Sequence, residues 1–160
     1  MPGPPSWKSD TVTLKEAPDE PQTLYWRDPV EFAHFLFQNP DFDGDMAYAP
    51  SWVFSSDGAQ VYSEMMMGNE WHFQQSLLDE GSTILGIILA SDWTHLTSFT
   101  GDKKMHAIYI SLGNISKNVC WKHNMCAWLL LAKVPICKFP KTPFPGNKTE
   151  QKAIPGILGQ

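Results

Sequence analysis

Three stretches in the second half of the chain have the hydrophobic pattern of β-strands. Residues 84–90 form a continuous Ile/Leu-rich run with one glycine, which is typical of a strand buried on both faces. Residues 106–112 alternate between two faces, and residues 127–136 are again apolar. Turn-like segments at 101–103 and 113–114 separate these runs. Because parallel pairing of consecutive strands needs a long crossover, the pattern predicts a three-stranded antiparallel meander.

A short helix is predicted at residues 30–38, before these strands. Asp28 can cap its N-terminus, and Pro29 suits the first helical position, where a missing N–H costs nothing. The pair Asn39-Pro40 ends the helix, since the residue before a proline avoids helical angles. The residues at helical spacing that we expect to face a core are Val30, Ala33, Leu36 and Phe37.

The segment between this helix and the strands predicts a small hairpin and a second helix. Residues 52–54 and 60–65 are the expected hairpin arms, joined by a turn at 55–58. Residues 70–78 have the pattern of a short helix closed by the turn at 79–82. Together with the meander, these elements predict an α+β fold.

The two ends of the chain have a different composition from its middle. Residues 1–24 are rich in Pro, Ser, Thr and acidic residues, which cannot repay the entropy of ordering, so we expect a flexible leader. Residues 138–160 are rich in Lys and Pro and predict a flexible tail. The predicted folded domain is therefore residues 25–137.

Charge is distributed unevenly along the chain. Residues 1–100 carry three Lys and Arg against fifteen Asp and Glu, a net charge of −12, whereas residues 101–160 carry nine Lys against two acids, a net charge of +7. Lysines gain from counterion release on a polyanion, so this basic third is a candidate DNA-binding region; a solvated tail is an equally good reading. The candidate phosphate contacts are Lys103, Lys104, Lys117 and Lys122.

Cysteine count and hydropathy bear on the compartment. Three cysteines are an odd number, and no N-terminal apolar run resembles a signal peptide, so we expect a reducing, intracellular location. The longest apolar runs are far shorter than the roughly 20 residues of a membrane span. We expect no membrane partner, and no small-molecule site is evident.

Asp92 is the main candidate for chemistry. It directly follows the run 84–90, and a carboxylate at the end of a buried strand is rigidly placed for a Mg²⁺ site built from several strands. A strand-end aspartate can equally cap the following turn through Thr94. The pattern alone favours the capping role.

Three further groups have a chemical and a structural interpretation. His95 and His106 flank a loop with several hydroxyls, but no nucleophile motif accompanies them. Cys120, His123 and Cys126, with Cys137 as a fourth ligand, suggest zinc, although their spacing favours idle or buried thiols. The tryptophans can stack on bases or fill a core; the core is expected for Trp26, Trp52 and Trp71, and both roles stay open for Trp93, Trp121 and Trp128.

Several segments together resemble the Plavaka transposases of fungal mobile elements. The most specific block runs through Ile-Leu-Ala-Ser-Asp-Trp-Thr-His-Leu-Thr-Ser-Phe-Thr-Gly-Asp-Lys-Lys at residues 88–104. The other segments that carry the resemblance are 25–31, 48–50, 61–65 and 109–117. The resemblance covers about residues 25–137.

This resemblance implies a ribonuclease H-like fold, in which three antiparallel strands open an α/β core, and a nuclear location for a functional protein. Asp92 then corresponds to the first acid of an Asp-Asp-Asp/Glu triad that holds Mg²⁺. In a two-metal mechanism one cation activates the attacking hydroxyl and the other stabilises the leaving oxygen, which needs several carboxylates.

The chain also departs from the family pattern. Trp93 stands where the family has lysine, residues 106–108 replace a Trp-Pro-Val-like run, and residues 120–126 replace a basic, Ser-rich segment. No further strand or helix pattern follows Pro135, so we expect an incomplete ribonuclease H-like fold that lacks the second and third acids.

Three functional hypotheses follow. The first is a fragment of a cut-and-paste DNA transposase that is inactive alone. The second is a non-catalytic module that binds nucleic acid or protein through the basic region. The third is a transposon relic without function, for which an exposed sheet edge predicts aggregation.

Overall fold

Five antiparallel strands form a single sheet, with two short helices and a helical turn joined to it. The computed structural model describes residues 3–15, 17–97 and 103–136. The strands are β1 (Lys8–Leu14), β2 (Ala17–Trp26), β3 (Ile87–Thr97), β4 (Lys103–Leu112) and β5 (Leu129–Val134). The helices are α1 (Pro29–Phe37), α2 (Asn69–Ser76) and α3 (Lys117–Cys120), with 3-10 turns at Pro40–Phe42, Met65–Met67 and His123–Met125.

The order of strands in the sheet is β1-β2-β5-β4-β3, and every neighbouring pair is antiparallel. The predicted meander is confirmed as β3-β4-β5, and the mixture of helices and strands agrees with the predicted α+β class. The bounds differ from the prediction: β3 ends later, at Thr97, and β4 begins earlier, at Lys103. The reason is that the two strands stay paired with each other over these residues.

Strand β3 lies at the edge of the described sheet, which corrects the prediction that it is buried on both faces. Ile87 and Leu89 are 49% and 61% exposed on one face. A continuous apolar run indicates a strand, but only the order of strands decides which run is central. Strand β4, with Ala107, Ile110 and Leu112 fully buried, lies inside the sheet between β5 and β3.

Residues 8–14 and 17–24 belong to strands, contrary to the prediction of a flexible leader. Strands β1 and β2 pair from Lys8↔Trp26 to Leu14↔Ala17. Strand β2 then joins the main sheet through the pairs Tyr25↔Lys133 and Trp26↔Ala132 of β5. Composition alone predicts disorder here. Pairing with other strands supplies backbone hydrogen bonds that stabilise the segment, and this pairing cannot be predicted from local composition.

The core lies where helix α1 and the chain after it pack against the end of β4. Its buried cluster includes Ala33, Leu36, Phe42, Leu112 and Ile115. Ala33 and Leu36 confirm the predicted helical stripe, and Phe37 packs against the cluster while partly exposed.

One member of the predicted helical stripe is placed differently. Val30 is 64% exposed, and the fully buried Phe32 lies on the inner side of α1 instead. The guanidinium of Arg27 stands 5.5 Å from the Phe32 ring centroid and 4.2 Å from that of Trp7. These contacts attach the first turn of α1 to the N-terminal segment.

The predicted hairpin at 52–65 is reduced to a turn with one bridge, Phe54↔Gln60. The second helix is confirmed as α2 at 69–76. His72 on this helix stacks on Trp52, with ring centroids 3.8 Å apart. Trp52 is 51% exposed, so its predicted place in the core is wrong, whereas Trp26 and Trp71 are half-buried.

The segment before β3 is held by one buried side chain, that of Asn114. Its Oδ1 accepts a hydrogen bond from the Gly86 N–H at 3.0 Å, and its Nδ2 donates to the carbonyls of Ala47 (2.9 Å) and Ile84 (2.8 Å). The Trp71 ring lies over Gly86 and Gly113 beside this network. Residues 84–86 are therefore fastened to the end of β4, directly before β3 begins.

Within the described ranges, no helix has the length and apolarity needed to cross a bilayer.

The N-cap of α1 confirms the predicted start of this helix and makes an acid-dependent contribution to stability. The Asp28 carboxylate accepts from the N–H groups of Val30 (3.0 Å) and Glu31 (3.3 Å), and from the Lys8 Nζ at 3.0 Å. The hydrogen bond from Lys8 and those from the helix hold the pKa of Asp28 below its ordinary value of 3.8. A lowered pKa means that the stabilisation is present above pH 3.8 and is lost as the pH falls through the folded-state pKa.

We therefore expect Asp28→Asn, which keeps an oxygen cap but removes the charge, to lower the melting temperature at pH 6. The difference from the unchanged chain should shrink below about pH 3.8, because protonated Asp28 also lacks the charge. Thermal unfolding followed by circular dichroism between pH 2.5 and 7 measures this difference. A gap of constant size across that range would contradict the assignment.

Candidate functional site

Asp92 lies within strand β3 and not at its end. It pairs with Ala107 of β4, and the pairing continues through Thr94↔Met105. The prediction that Asp92 follows the strand is therefore wrong, and so is the turn-capping role through Thr94, since residue 94 is itself part of the sheet. The carboxylate is on an exposed side chain of the edge strand.

The sheet register defines what shares a face with Asp92. Paired residues of antiparallel strands point to the same side, so Asp92, Ala107, Lys133 and Tyr25 form one row across β3, β4, β5 and β2. This row has one carboxylate and one ammonium group, separated by the small, buried Ala107. Adjacent strands are about 4.8 Å apart, so Lys133 lies roughly two strand spacings from Asp92.

The described residues do not fit a complete Mg²⁺ site of the transposase type. Two-metal chemistry needs several carboxylates around the cations. Among residues 3–15, 17–97 and 103–136, no three His, Cys, Asp or Glu side chains are grouped closely enough to hold a metal ion. Asp92 therefore belongs to no three-ligand group within these residues.

The opposite face of β3 carries a Ser-His contact that the sequence pattern did not reveal. Ser91 Oγ and the His106 ring nitrogen Nε2 form a short hydrogen bond, and the His106 ring meets Trp93 edge-to-face at 5.9 Å between centroids. The register places this group on the other side of the sheet from Asp92. His95 pairs with Lys104 along the backbone, while the hydroxyls at 98 and 100 are outside the described residues.

The Cys/His candidates line a common cavity but do not form a metal cluster. Cys120, His123 and Cys126 belong to the lining of a cavity of about 400 Å³. The Cys120 thiol donates to the Ile115 carbonyl at 3.6 Å, and burial raises its pKa, which disfavours the thiolate that zinc requires. Among the described residues, no group of three side chains that could hold a metal ion includes these three. Cys137, the proposed fourth ligand, lies outside the described residues.

The four candidate lysines fall into two pairs at opposite ends of β4. Lys103 and Lys104 begin the strand, whereas Lys117 and Lys122 follow its other end, past Leu112. At about 3.4 Å per residue, ten residues of strand separate the two pairs by roughly 30 Å. Lys117 donates from Nζ to the Ser63 carbonyl at 3.0 Å, and Lys122 is exposed next to Trp121. The structure therefore does not gather these lysines into one patch.

Comparison with known proteins decides the family. A family model described as Plavaka transposase matches residues 1–154, which includes all five strands. The chain belongs to the Plavaka transposase family. No curated protein and no solved structure matches it.

Membership of the Plavaka family makes the chain a transposase-related protein of a transposable element and points to DNA as its partner. The match begins at residue 1, so it includes the β1-β2 hairpin as well as the meander that carries Asp92. The family was predicted from residues 25–137, and the block around Asp92 was the most informative part of that prediction.

Proposed function

We propose that this Plavaka transposase chain serves cut-and-paste DNA transposition, supplying Asp92 as the first acid of a catalytic triad on a ribonuclease H-like core. The observation that carries the proposal is the place of Asp92: an exposed carboxylate on the first strand of a three-stranded antiparallel meander, inside the block 88–104. The remaining acids and the Mg²⁺ ions they would hold are assembled with residues outside the described part. The protein would act in the nucleus, where its DNA substrate is.

The chain by itself is expected not to cleave DNA. One carboxylate cannot position two cations about 3.5–4 Å apart, so neither the attacking hydroxyl nor the leaving oxygen is activated. Binding of DNA, in contrast, needs only cations that reach phosphate, and the two lysine pairs on either end of β4 offer these.

We expect the purified chain to bind duplex DNA at low salt. Its affinity should fall as salt is added, with the logarithm of the binding constant decreasing linearly with the logarithm of the salt concentration. Fluorescence anisotropy with a labelled duplex between 25 and 300 mM salt tests this. Lys122→Gln should reduce the slope by about one. No binding at the lowest salt would overturn the DNA-binding part of the proposal.

The catalytic part is tested on supercoiled plasmid with Mg²⁺ or Mn²⁺. We expect the chain and its Asp92→Asn variant to produce the same background of nicked circles, because no three metal-ligating side chains are grouped together among the described residues. Asp79→Asn, in the turn after α2, is the matched control for removing an exposed carboxylate. Nicking that Asp92→Asn abolishes and Asp79→Asn retains would show a complete active site and contradict the proposed inactivity.

A further inference from the structure

Trp121 is the most exposed large hydrophobic side chain of the described residues, at 81%. The residue follows helix α3 directly, and its backbone N–H donates to the Lys117 carbonyl at 3.2 Å. Val119 and Ala127, each 2% exposed, anchor the backbone in the core on either side. An anchored segment therefore holds the indole in solvent. An exposed apolar surface of this kind is typical of a site that binds a ligand.

Two cavities meet at this indole. One, of about 400 Å³, is lined by Trp121, Trp128, Lys122 and His123. The other, of about 300 Å³, shares Trp121 and Trp128 and includes Glu64. Both volumes are within the range of about 300–1,000 Å³ that is typical of pockets for small ligands.

Charge distinguishes the two cavities. The larger has a lysine and a histidine but no carboxylate among its lining residues. The smaller is lined by both Glu64 and Lys117, whose charges offset each other, and the Glu64 carboxylate accepts a hydrogen bond from the Lys117 backbone N–H at 3.3 Å. An anion is therefore favoured in the larger cavity, and an aromatic group is favoured along the indoles that border it.

We propose that the larger cavity binds one unpaired nucleotide of DNA, with the base stacked on Trp121 and its phosphate beside Lys122 and His123. This inference rests on the proposed DNA-directed function and extends it to a preference for single-stranded or frayed ends. A base within a duplex is stacked on its neighbours and cannot offer its face to the indole, whereas an unpaired base can, whatever its identity. The combination of indole face and adjacent cation is the recognition chemistry of single-stranded nucleic acid.

The test compares a short single-stranded oligonucleotide with a blunt duplex of the same sequence, using the full chain and fluorescence anisotropy. Trp121→Ala is expected to weaken binding of the single strand by roughly 5- to 150-fold, as for loss of one base-aromatic stack, and binding of the duplex by less than about twofold. Trp121→Phe should restore most of the affinity. Trp52→Ala, which removes a 51% exposed indole that lines neither cavity, is the matched control and should leave both affinities unchanged.

The outcomes separate this inference from the proposed function. If the chain binds neither DNA form at low salt, the proposed function fails and the nucleotide site fails with it. If the chain binds DNA but Trp121→Ala has no effect, or weakens both forms equally, only the nucleotide site is overturned. Since Trp121 is exposed, circular dichroism of the variant should match that of the unchanged chain, so a loss of binding reports on the contact itself.

Discussion

Replacing Asn114 with alanine is expected to lower the free energy of unfolding by about 2–4 kcal/mol. The side chain is 1% exposed and makes three hydrogen bonds, to Gly86, Ala47 and Ile84. Truncation leaves one N–H and two carbonyls without a partner where water has little access. Unfolding in urea, followed by circular dichroism, measures the loss.

The matched control is Asn118→Ala, which removes an exposed asparagine from α3 and should change the same quantity by less than about 0.5 kcal/mol. Asn114→Asp provides a second comparison, because it keeps the acceptor for Gly86 but replaces the donor to both carbonyls with a carboxylate. At pH 7, Asn114→Asp should lower the free energy of unfolding by at least as much as Asn114→Ala does. Equal stability of Asn114→Ala and Asn118→Ala would show that the network does not hold the fold.

The second large effect is expected at Gly86. A Cβ at this position would stand 2.4 Å from Cη2 and 2.5 Å from Cζ3 of the Trp71 ring, closer than any real contact. The ring is rigid and also lies close to Gly113, 3.3 Å from the point where a Cβ would stand there, so it has little room to move toward that side. Gly86→Ala should therefore cost about 1–3 kcal/mol, as other overpacked sites do.

A double-mutant cycle tests whether the Trp71 ring causes this cost. In the background Trp71→Ala, the additional change Gly86→Ala should have an effect below about 0.5 kcal/mol, because the clash is gone. Gly3→Ala is the matched control, since a Cβ there meets nothing within 4 Å. If Gly86→Ala costs the same with and without the indole, the glycine is required for another reason.

These two sites matter for Asp92 because they hold the start of its strand. Residues 84–86 lead directly into β3, and Asn114 ties them to the end of β4, the strand that pairs with β3 along its length. The position of Asp92 at the sheet edge therefore depends on contacts of residues with no chemical role. Nothing in the sequence pattern identifies Asn114, which reads as an ordinary turn residue after Gly113.

Local signals were the reliable part of the sequence. The N-cap at Asp28 with Pro29 predicted the start of α1 because the determinants of a helix end lie within three residues of it. The apolar runs predicted β3, β4 and β5 and their antiparallel order, because segments between strands without the pattern of a long crossover helix favour antiparallel pairing. In contrast, the bounds of β3 and β4 were missed, since their extension comes from pairing with each other across residues that are polar or charged.

The sequence by itself determined the family, the antiparallel meander, the first helix and the identity of Asp92 as the leading candidate. Only the tertiary structure decided that β1 pairs with β2 and β2 with β5, that Asp92 lies within an edge strand, that the candidate lysines are separated, and that Trp121 borders a basic cavity. The physical reason is the range of the interactions. Caps, turns and hydrophobic periodicity depend on residues that are close together in the sequence, so a short stretch of sequence is enough to predict them. Strand order, burial and cavities depend on contacts between residues far apart in the chain.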